Sequence, residues 1–351
     1  MNREATPAEV EAAVSALAAG AVVGLPTETV YGLAADAANA AAIAAIYRIK
    51  GRPTDHPLIV HVLDAQAARR WARWSDAAER LAVAFWPGPL TIVLERHADA
   101  PAWACAGYPT IAVRAPSHPV ARRVLARLAE VGITGLAAPS ANRFGRVSPT
   151  TAAHVRADLG DDVAVVLDGG PAEVGIESTI VDLSRGRPVL LRPGHIGAAA
   201  LSRVLEEPVL PADAEAPRVP GALPSHYAPA TPLELAPAQE LHARIAAAQA
   251  AGKRVAVWST RPVEAEDRRQ VTWLARPDSP TATEQALYDT LRRLDAEGAD
   301  LILVEAPPAT DLWEAIRDRL VRAAAQDPGL AAPGPSGGDR LRRGRAAPRP
   351  R

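Results

Sequence analysis

The chain has 351 residues, 48% of them hydrophobic, and its 39 Lys and Arg residues nearly balance 40 Asp and Glu residues, for a formal net charge of -1. That balance argues against a protein whose main role is to coat nucleic acid, because such binding needs many basic residues facing phosphates. Cys105, the single cysteine, excludes an intramolecular disulfide and a cysteine-rich zinc site. The length fits two domains. No apolar run approaches about 18 residues without a charge, and we expect a cytoplasmic protein with no membrane association.

The predicted elements of the first half alternate between helices and short apolar strands. Thr6, Pro7 and Glu9 form a capping box with proline at the first helical position, which predicts a helix that Gly20 ends. Several of the strands that follow are not separated by a helix, so we expect an α/β fold with a mixed sheet. The further helices are predicted at 39–49, 76–86, 118–131, 150–159 and 197–206, and the strands at 21–25, 57–63, 90–94, 110–114, 163–167, 178–183 and 189–191.

The composition changes after residue 206. Residues 207–232 are rich in proline, alanine and acidic side chains, which is typical of an extended linker. Strands and helices then alternate again, which predicts a smaller parallel-sheet α/β domain at 233–326. Its helices are predicted near 238–251, 283–297 and 311–325, and its strands at 254–258, 271–275 and 301–305. We therefore divide the chain into a domain at 1–206, this linker, the smaller domain, and a Gly-, Pro- and Arg-rich tail at 327–351 that we expect to be disordered.

Cationic and hydroxyl side chains collect at the predicted turns and strand ends before residue 195. Lys50 and Arg52 form a compact cationic loop suited to a triphosphate, and Arg114 could hold a carboxylate through two nitrogen atoms. No P-loop, nucleophile elbow or pair of metal ligands at helical spacing is present. Cations and hydroxyls without an evident nucleophile suit a reaction that orients substrates and neutralises phosphate charge. The segments concerned are PTETVYGL (26–33), KGRP (50–53), HPLIVH (56–61), TIAVRAP (110–116), PSAN (139–142), GRVSPT (145–150), ESTIVDL (177–183) and LRPG (191–194).

Each of these segments also has an ordinary structural explanation. The threonine hydroxyls of the first segment could simply cap a turn. Ser148 or Thr150 is expected to cap the helix that follows it, and capping requires no ligand. His61 shares a strand face with apolar residues, where a histidine is more often a hydrogen-bonded core residue than a ligand. Arg192 lies in a Pro-Gly turn, where an arginine is usually just exposed. No single segment is specific, and the accumulation of all of them is the informative feature.

Taken in order, these segments and PGALPSHYAP at 220–229 resemble the threonylcarbamoyl-AMP synthase family. The resemblance extends over about residues 10–232, and the smaller domain fits by its position and α/β character. It implies a YrdC-like twisted mixed sheet with flanking helices, followed by a Rossmann-like α/β domain. It also implies a nucleotidyltransferase that converts L-threonine, bicarbonate and ATP, with Mg²⁺, into L-threonylcarbamoyladenylate and pyrophosphate. The product would pass to a tRNA threonylcarbamoyl transferase.

The resemblance assigns side chains to the two main substrates. Lys50 and Arg52 are the candidate catalytic residues. Ala138 matches a threonine-site position where some relatives have a hydroxyl, so that side-chain contact is absent here. No metal ligand is assigned. The linker around Tyr227 would act as a lid that excludes water from a hydrolysable mixed anhydride. The ATP-site positions are Lys50, Arg52, His56, Thr110, Ser140, Asn142, Ser148, Arg192 and Tyr227, and the threonine-site positions are Thr29, His61, Arg114, Ala138 and Ser178.

Three other functions compete with this interpretation. A carbamoyl-phosphate-using transferase contains the same module, but it also needs acylphosphatase-like and zinc-finger segments that this sequence lacks. A double-stranded RNA-binding or ribosome-associated module of the same fold is disfavoured by the near-neutral charge and the lack of aromatic stacking motifs, although weak tRNA contact stays possible. A catalytically silent relative is disfavoured because Lys50, Arg52, Ser140 and Asn142 are all present.

Overall fold

The computed structural model describes residues 5–261 and 271–325. The predicted disordered tail at 327–351 lies outside the described residues. The helices are α1 (Pro7–Ala18), α2 (Ala40–Lys50), α3 (Ala65–Ala68), α4 (Asp76–Phe85), α5 (Pro119–Glu130), α6 (Ala152–Leu159), α7 (Ala198–Leu205), α8 (Leu241–Ala250), α9 (Pro280–Ala296) and α10 (Glu314–Ala324). The strands are β1 (Val23–Leu25), β2 (Gly32–Asp36), β3 (Ile59–His61), β4 (Leu90–Glu95), β5 (Thr110–Arg114), β6 (Leu136–Ala137), β7 (Val165–Val166), β8 (Thr179–Asp182), β9 (Val189–Arg192), β10 (Leu210–Pro211), β11 (Leu233–Ala236), β12 (Val255–Ser259), β13 (Val271–Ala275) and β14 (Leu301–Glu305).

The strands form two sheets. Ten strands make a mixed sheet in the order β10-β9-β8-β4-β5-β3-β6-β2-β1-β7, and we call the part of the chain that carries it the N-terminal half. Four strands make a fully parallel sheet in the order β11-β14-β12-β13, and its part of the chain is the C-terminal half. This arrangement confirms the predicted α/β class, with a mixed sheet first and a parallel sheet second. None of the described helices is both long and apolar enough to span a membrane.

Local sequence determines where helix α1 begins and which of its faces is buried. The Thr6 hydroxyl accepts a hydrogen bond from Glu9 N, and the Glu9 carboxylate accepts one from Thr6 N at 2.8 Å, which completes the predicted capping box. The buried residues Val10, Val14 and Leu17 follow helical spacing. They join α5 in one apolar cluster on a face of the large sheet.

The predicted cap of α6 is wrong. Thr151, and neither Ser148 nor Thr150, is the N-cap residue, and its hydroxyl accepts a hydrogen bond from His154 N at 3.2 Å. An N-cap hydroxyl must lie two or three residues before the amide that it accepts from, and α6 starts one residue later than a Thr150 cap would require. Ser148 is instead fully buried and turned toward Glu177.

The two halves share an apolar core. Val30 and Val147 from the N-terminal half belong to one buried cluster with Trp258 and Tyr288 from the C-terminal half. Tyr227, from the predicted linker, is part of the same cluster and only 1% exposed. Apolar burial of this kind, at about 25 cal/mol per Å², holds the linker in a fixed position between the halves.

Candidate active site

A cavity opens where the loops after β1, α2, β6 and β9 meet the predicted linker. It contains about 640 Å³ of empty space, part of which is open to solvent. Eleven of the fourteen residues assigned by the resemblance line it. These eleven are Thr29, Lys50, Arg52, His61, Arg114, Ala138, Ser140, Asn142, Ser178, Arg192 and Tyr227.

The end of helix α2 supplies two cations. Gly51 adopts φ +63° and ends the helix in the left-handed conformation, so Lys50 is the last helical residue and Arg52 follows in the loop. Lys50 Nζ donates to the backbone oxygens of Ser140 and Asn142, the latter at 2.7 Å. Arg52 Nη2 donates to Pro57 O at 2.9 Å. Burial, together with the neighbouring Arg52, holds the pKa of Lys50 well below its usual range, and burial lowers the pKa of Arg52 to about 10.

Arg192 at the end of β9 supplies a third cation. It is 3% exposed, although an arginine in such a turn is usually exposed. Its Nε and Nη2 atoms donate to Ser178 O at 3.0 and 2.9 Å, and Nη1 donates to Pro220 O at 2.9 Å. Within residues 5–261 and 271–325, Lys50, Arg52 and Arg192 form no ion pair with a carboxylate. We call these three residues the cationic end of the cavity.

Four buried polar atoms in this cavity have no hydrogen-bond partner among the described residues. They are Arg52 Nε, Asn142 Oδ1, His226 Nδ1 and the Tyr227 hydroxyl. Folded proteins leave few buried polar groups unsatisfied, because each costs about 1–3 kcal/mol. Two donors, an acceptor and a histidine nitrogen around one space are what a polar ligand would satisfy.

Arg114 also lines the cavity, and it is already paired. Its Nη2 donates to Glu28 at 2.7 Å, and its Nη1 donates to the Thr29 hydroxyl at 2.9 Å. Both side chains of the ion pair are about 96% buried or more. Burial alone would raise the pKa of Glu28, but Arg114 and the amide of Ser117 hold it below its usual value. We call Arg114, Glu28 and their neighbours the paired end.

His61 lies beside Arg114 because β3 and β5 are parallel neighbours with these two residues in register. Its Nδ1 is 3.2 Å from Ile59 O, which can only accept, so Nδ1 carries the proton and Nε2 keeps a lone pair. Burial, with Arg114 nearby, lowers the pKa of His61 to about 3 and keeps the ring neutral. The Ser178 hydroxyl links this end to the cationic end, since it hydrogen-bonds Thr91 at 2.7 Å and accepts from Arg192 Nη2 at 3.1 Å.

His226 and Tyr227 close the cavity from the linker. Tyr227 has φ +62°, an unusual conformation for a residue other than glycine, and its ring lies 5.6 Å from that of Tyr288. The His226 ring is 4.1 Å from Tyr227 and 6.2 Å from Phe144. Burial lowers the pKa of His226 to about 3 and raises that of Tyr227 to about 12.

Comparison with known proteins identifies the family. Residues 15–194 match the Sua5–YciO–YrdC family, described as telomere recombination, and residues 196–325 match the threonylcarbamoyl-AMP synthase C-terminal domain. Threonylcarbamoyl-AMP synthase of Bacillus subtilis is 38% identical over 90% of this chain and 93% of its own, and that of Pyrococcus abyssi is 35% identical over 87% and 91%. The chain belongs to the threonylcarbamoyl-AMP synthase family.

A solved structure agrees with this membership. The structure of P. abyssi Sua5 complexed with L-threonine has a TM-score of 0.82 and 34% identity, and covers 90% of this chain and 94% of its own. The predicted resemblance, the fold and the enzyme class, a nucleotidyltransferase that uses ATP to make threonylcarbamoyl-AMP, are confirmed.

Three positions that the family resemblance assigns to ATP do not line the cavity. His56 lies at its rim in a neighbouring groove, with its ring 5.4 Å from that of Phe144. Ser148 lies behind the wall and donates to Glu177 at 2.5 Å. Thr110 begins β5 and lines a separate groove. It is four residues from Arg114, about 13 Å along a strand, so the structure does not bring it to this cavity.

The sequence reasoning missed two carboxylates at this cavity. Glu28 is the partner of Arg114, and Glu177 lines the cavity and accepts hydrogen bonds from Ser148, Tyr288 and Arg319. Both lie inside segments that the sequence singled out, PTETVYGL and ESTIVDL, where only hydroxyls and cations were considered. The charge of a carboxylate among buried cations is the signal that could have found them.

Proposed function

We propose that this protein condenses L-threonine, bicarbonate and ATP into L-threonylcarbamoyladenylate, pyrophosphate and water at the cavity between Lys50 and Arg114. The observation that carries the proposal is the contrast in charge across the cavity. At one end, three buried cations lack a carboxylate partner among the described residues, and a buried ion pair lies at the other. The first arrangement suits a polyphosphate, and the second suits a zwitterion with no net charge.

The nucleotide belongs at the cationic end. Lys50, Arg52 and Arg192 hold the phosphates, and the free Nε of Arg52 offers a hydrogen bond that the protein leaves unmade. Asn142 Oδ1 is a free acceptor for an amino or hydroxyl group of the nucleoside. Ser140 borders the same space. His56 lies at the rim, and Ser148 acts indirectly through Glu177.

Threonine belongs at the paired end. Arg114 retains hydrogens on Nη1 and Nη2 beyond those used by Thr29 and Glu28, so it can still donate to a carboxylate. The Nε2 lone pair of neutral His61 can accept from the ammonium group or hydroxyl of threonine. Ser178 offers a further hydroxyl. Ala138 contributes a methyl surface to this end and no side-chain hydrogen bond.

The reaction follows from these positions. The amine of threonine adds to bicarbonate or carbon dioxide with loss of water or a proton, giving N-carboxy-threonine. An oxygen of the new carboxylate then attacks the α-phosphorus of ATP, a P–O bond forms, and the bond to the bridging oxygen of pyrophosphate breaks. Lys50, Arg52 and Arg192 neutralise the charge on the leaving pyrophosphate. No residue needs to form a covalent bond with either substrate.

Mg²⁺ enters as part of the MgATP substrate. No group of three or more His, Cys, Asp or Glu within the described ranges could hold a metal ion. Both oxygens of Glu177, the carboxylate on the cavity wall, are occupied by Ser148, Tyr288 and Arg319. The described residues therefore offer no cluster of these side chains to the ion, and we assign phosphate oxygens and water as its main ligands.

Tyr227 and the linker around it cover the product. The mixed anhydride hydrolyses in water, so a buried aromatic cover at the cavity mouth protects it until release. We assign catalysis to residues 1–206, this covering role to 207–232, and a supporting role to 233–326. A tRNA threonylcarbamoyl transferase would receive the adenylate.

Pyrophosphate release tests the proposal. Purified protein should release pyrophosphate from ATP only when threonine and bicarbonate are both present, and the adenylate should be detected by mass spectrometry. Serine, which lacks the methyl group of threonine, and valine, which lacks its hydroxyl group, are matched control substrates. Both should give much slower release of pyrophosphate. Threonine-independent release, or tight binding of duplex RNA in moderate salt with no release, would contradict it.

A further inference from the structure

One buried carboxylate joins the two halves of the molecule at the cavity wall. The Glu177 side chain accepts hydrogen bonds from Ser148 of the N-terminal half at 2.5 Å and from Tyr288 of α9 at 2.7 Å. Its third donor is Arg319 of α10, whose Nε lies at 3.0 Å. Tyr288 and Arg319 are fully buried, and neither lines the cavity. The C-terminal half therefore reaches the cavity through a carboxylate that does line it.

Arg319 holds two separate segments of the N-terminal half. Beyond the ion pair, its Nη2 donates to the backbone oxygen of Glu177 at 3.3 Å, and its Nη1 donates to Pro193 O at 2.8 Å. Pro193 directly follows Arg192 of the cationic end. Glu177 directly precedes Ser178, whose backbone oxygen accepts two hydrogen bonds from Arg192. One guanidinium thus fixes the chain on both sides of the contact that orients Arg192.

Arg319 also decides the charge of the cavity wall. Burial alone would raise the pKa of Glu177, but Arg319 and Arg192, with hydrogen bonds from Ser148 and Tyr288, lower it to about 2. Glu177 is therefore an anion at neutral pH. Among the described residues that line the cavity it is the only carboxylate. Without Arg319, this anion would repel a polyphosphate and compete for Arg192.

The same two residues support the cover. The Arg319 guanidinium lies 5.4 Å from the centre of the Tyr227 ring, and the Tyr288 ring lies 5.6 Å from it. The contact between a cation and an aromatic face is worth roughly 0.5–2 kcal/mol. Tyr227 therefore rests on the groups that also hold Glu177.

We propose that Arg319 and Tyr288, from the C-terminal half, are positioning residues for ATP, acting through Glu177 on Ser148 and Arg192. The inference rests on the proposed function, since it assumes that ATP occupies the cationic end. It gives the C-terminal half a role mainly in the nucleotide site; among the described residues, Ser178 is the threonine-site residue that Arg192 contacts. Arg114, His61 and Thr29 form no contact with Arg319 or Tyr288 within the described residues.

Other contacts hold the halves together independently of Glu177. Arg292 of α9 pairs with Asp158 at 2.6 Å, and Glu284 of the same helix pairs with His195 at 2.8 Å. Removing the Tyr288 hydroxyl should therefore leave the halves joined. Glu284→Gln is the matched control, because it weakens an interface ion pair on the same helix without touching Glu177.

The test measures KM for ATP and for threonine in Tyr288→Phe, Arg319→Lys and Glu284→Gln. We expect Tyr288→Phe to raise KM for ATP about 5-fold and Arg319→Lys about 20-fold, in line with lost hydrogen bonds to a charged group. KM for threonine should stay within about 2-fold in both variants, and Glu284→Gln should behave as wild type. Calorimetric titration with ATP should show the same loss of affinity as KM.

Several outcomes separate this inference from the proposed function. Wild-type protein that releases no pyrophosphate contradicts the proposed function itself. Active wild type with an unchanged KM for ATP in folded Tyr288→Phe overturns the positioning role. An equal rise of both KM values overturns it too, because that result indicates general loosening. If Arg319→Lys does not fold, Tyr288→Phe alone decides, since it removes one oxygen atom and keeps the ring.

Discussion

The two ends of the cavity handle buried charge in opposite ways. At the cationic end, and within the described part of the chain, Lys50, Arg52 and Arg192 donate only to neutral oxygens, so their charge is left for a ligand to balance. At the paired end, Arg114 meets Glu28 at 2.7 Å and the charge is balanced before any ligand binds. Under the proposed assignment, the net charge of each end matches the net charge of the substrate that we place there.

The cationic end must be held in place at some cost in stability. Uncompensated buried cations destabilise a fold, and burial already lowers the pKa values of Lys50, Arg52 and Arg192. Backbone oxygens can solvate these cations without cancelling their charge. An ion pair would be more stable, but it would have to be broken when phosphate binds.

The largest expected effect comes from removing one cation. Arg52→Gln should lower kcat/KM for ATP about 10³-fold, because this side chain is proposed to stabilise the charge of the leaving pyrophosphate. The free energy of unfolding should hold or increase, since one unbalanced buried charge is lost. Steady-state pyrophosphate release and urea denaturation measure the two quantities.

Arg48→Gln is the matched control for that variant. Arg48 lies in the last turn of α2 but is exposed, so the same substitution there should leave kcat/KM within about 2-fold. Equal losses in both variants would mean that only the general positive charge of this helix end matters. Full activity of Arg52→Gln would remove the cationic end from the mechanism.

A substitution at the paired end should lower both the stability of the protein and its affinity for threonine. Glu28→Gln leaves Arg114 charged and unbalanced, which should cost about 3 kcal/mol of unfolding free energy. KM for threonine should rise about 10-fold, because Arg114 moves when its partner is neutral, while KM for ATP should stay nearly constant. Denaturation in urea and kinetics with each substrate varied in turn give these values.

A double variant distinguishes pairing from mere crowding at this end. Glu28→Gln combined with Arg114→Met removes both charges, so it should be less destabilised than the sum of the single variants by at least about 1 kcal/mol. Strictly additive losses would mean that the two side chains do not act as a pair. This double-mutant cycle tests the charge balance directly, because the free energies of unfolding are measured without substrate.

Local sequence predicted the elements that carry local signals. The capping box of Thr6 and Glu9 fixed α1, and the alternation from Thr110 to Arg114 fixed β5. Strand β2 was missed because its residues 32–35 are all buried, so no polar residue alternates with apolar ones. Strand β11 was missed because it follows a proline-rich segment directly.

The site shows the same division between local and distant information. The order of the motifs predicted eleven of the residues that meet in the cavity, since most motifs lie in or beside a strand or helix end there. The partners of those residues were not predicted, because Arg114 and Glu28 are 86 residues apart and Glu177 and Arg319 are 142 apart. Such pairings follow from sheet order and from the packing of two halves, which one sequence does not contain.

The neutral histidines at the two ends make stability depend on pH. His61 and His226 each have a folded pKa of about 3 against 6.5 in the unfolded chain, chiefly because of burial. Below pH 6.5 the unfolded chain binds more protons than the folded one, so stability falls as pH falls toward 3. Where the unfolded chain binds one proton more than the folded chain at a given histidine, that histidine changes the stability by roughly 1.4 kcal/mol per pH unit.

Single substitutions should divide this slope between the two ends. Urea denaturation between pH 6 and pH 5 should lose about half of the histidine-dependent slope in His226→Gln and a similar share in His61→Gln. Saturating ATP should reduce the share of His226, at the cationic end, because phosphate favours a protonated ring. An unchanged slope in both variants would contradict the neutral, buried state of these rings.

The smallest expected effect distinguishes the Ser148 hydroxyl, which contacts the cavity wall, from the Thr151 hydroxyl, which only caps a helix. Thr151→Ala removes the N-cap of α6 and should cost about 1 kcal/mol of stability with no change in KM for ATP. Ser148→Ala, three residues earlier, removes a hydrogen bond to Glu177 and should raise KM for ATP about 3-fold. Thermal denaturation and pyrophosphate kinetics on the two variants should therefore give opposite patterns. If Thr151→Ala alone raised KM for ATP, the capping of α6 and not the Ser148–Glu177 contact would shape the cationic end.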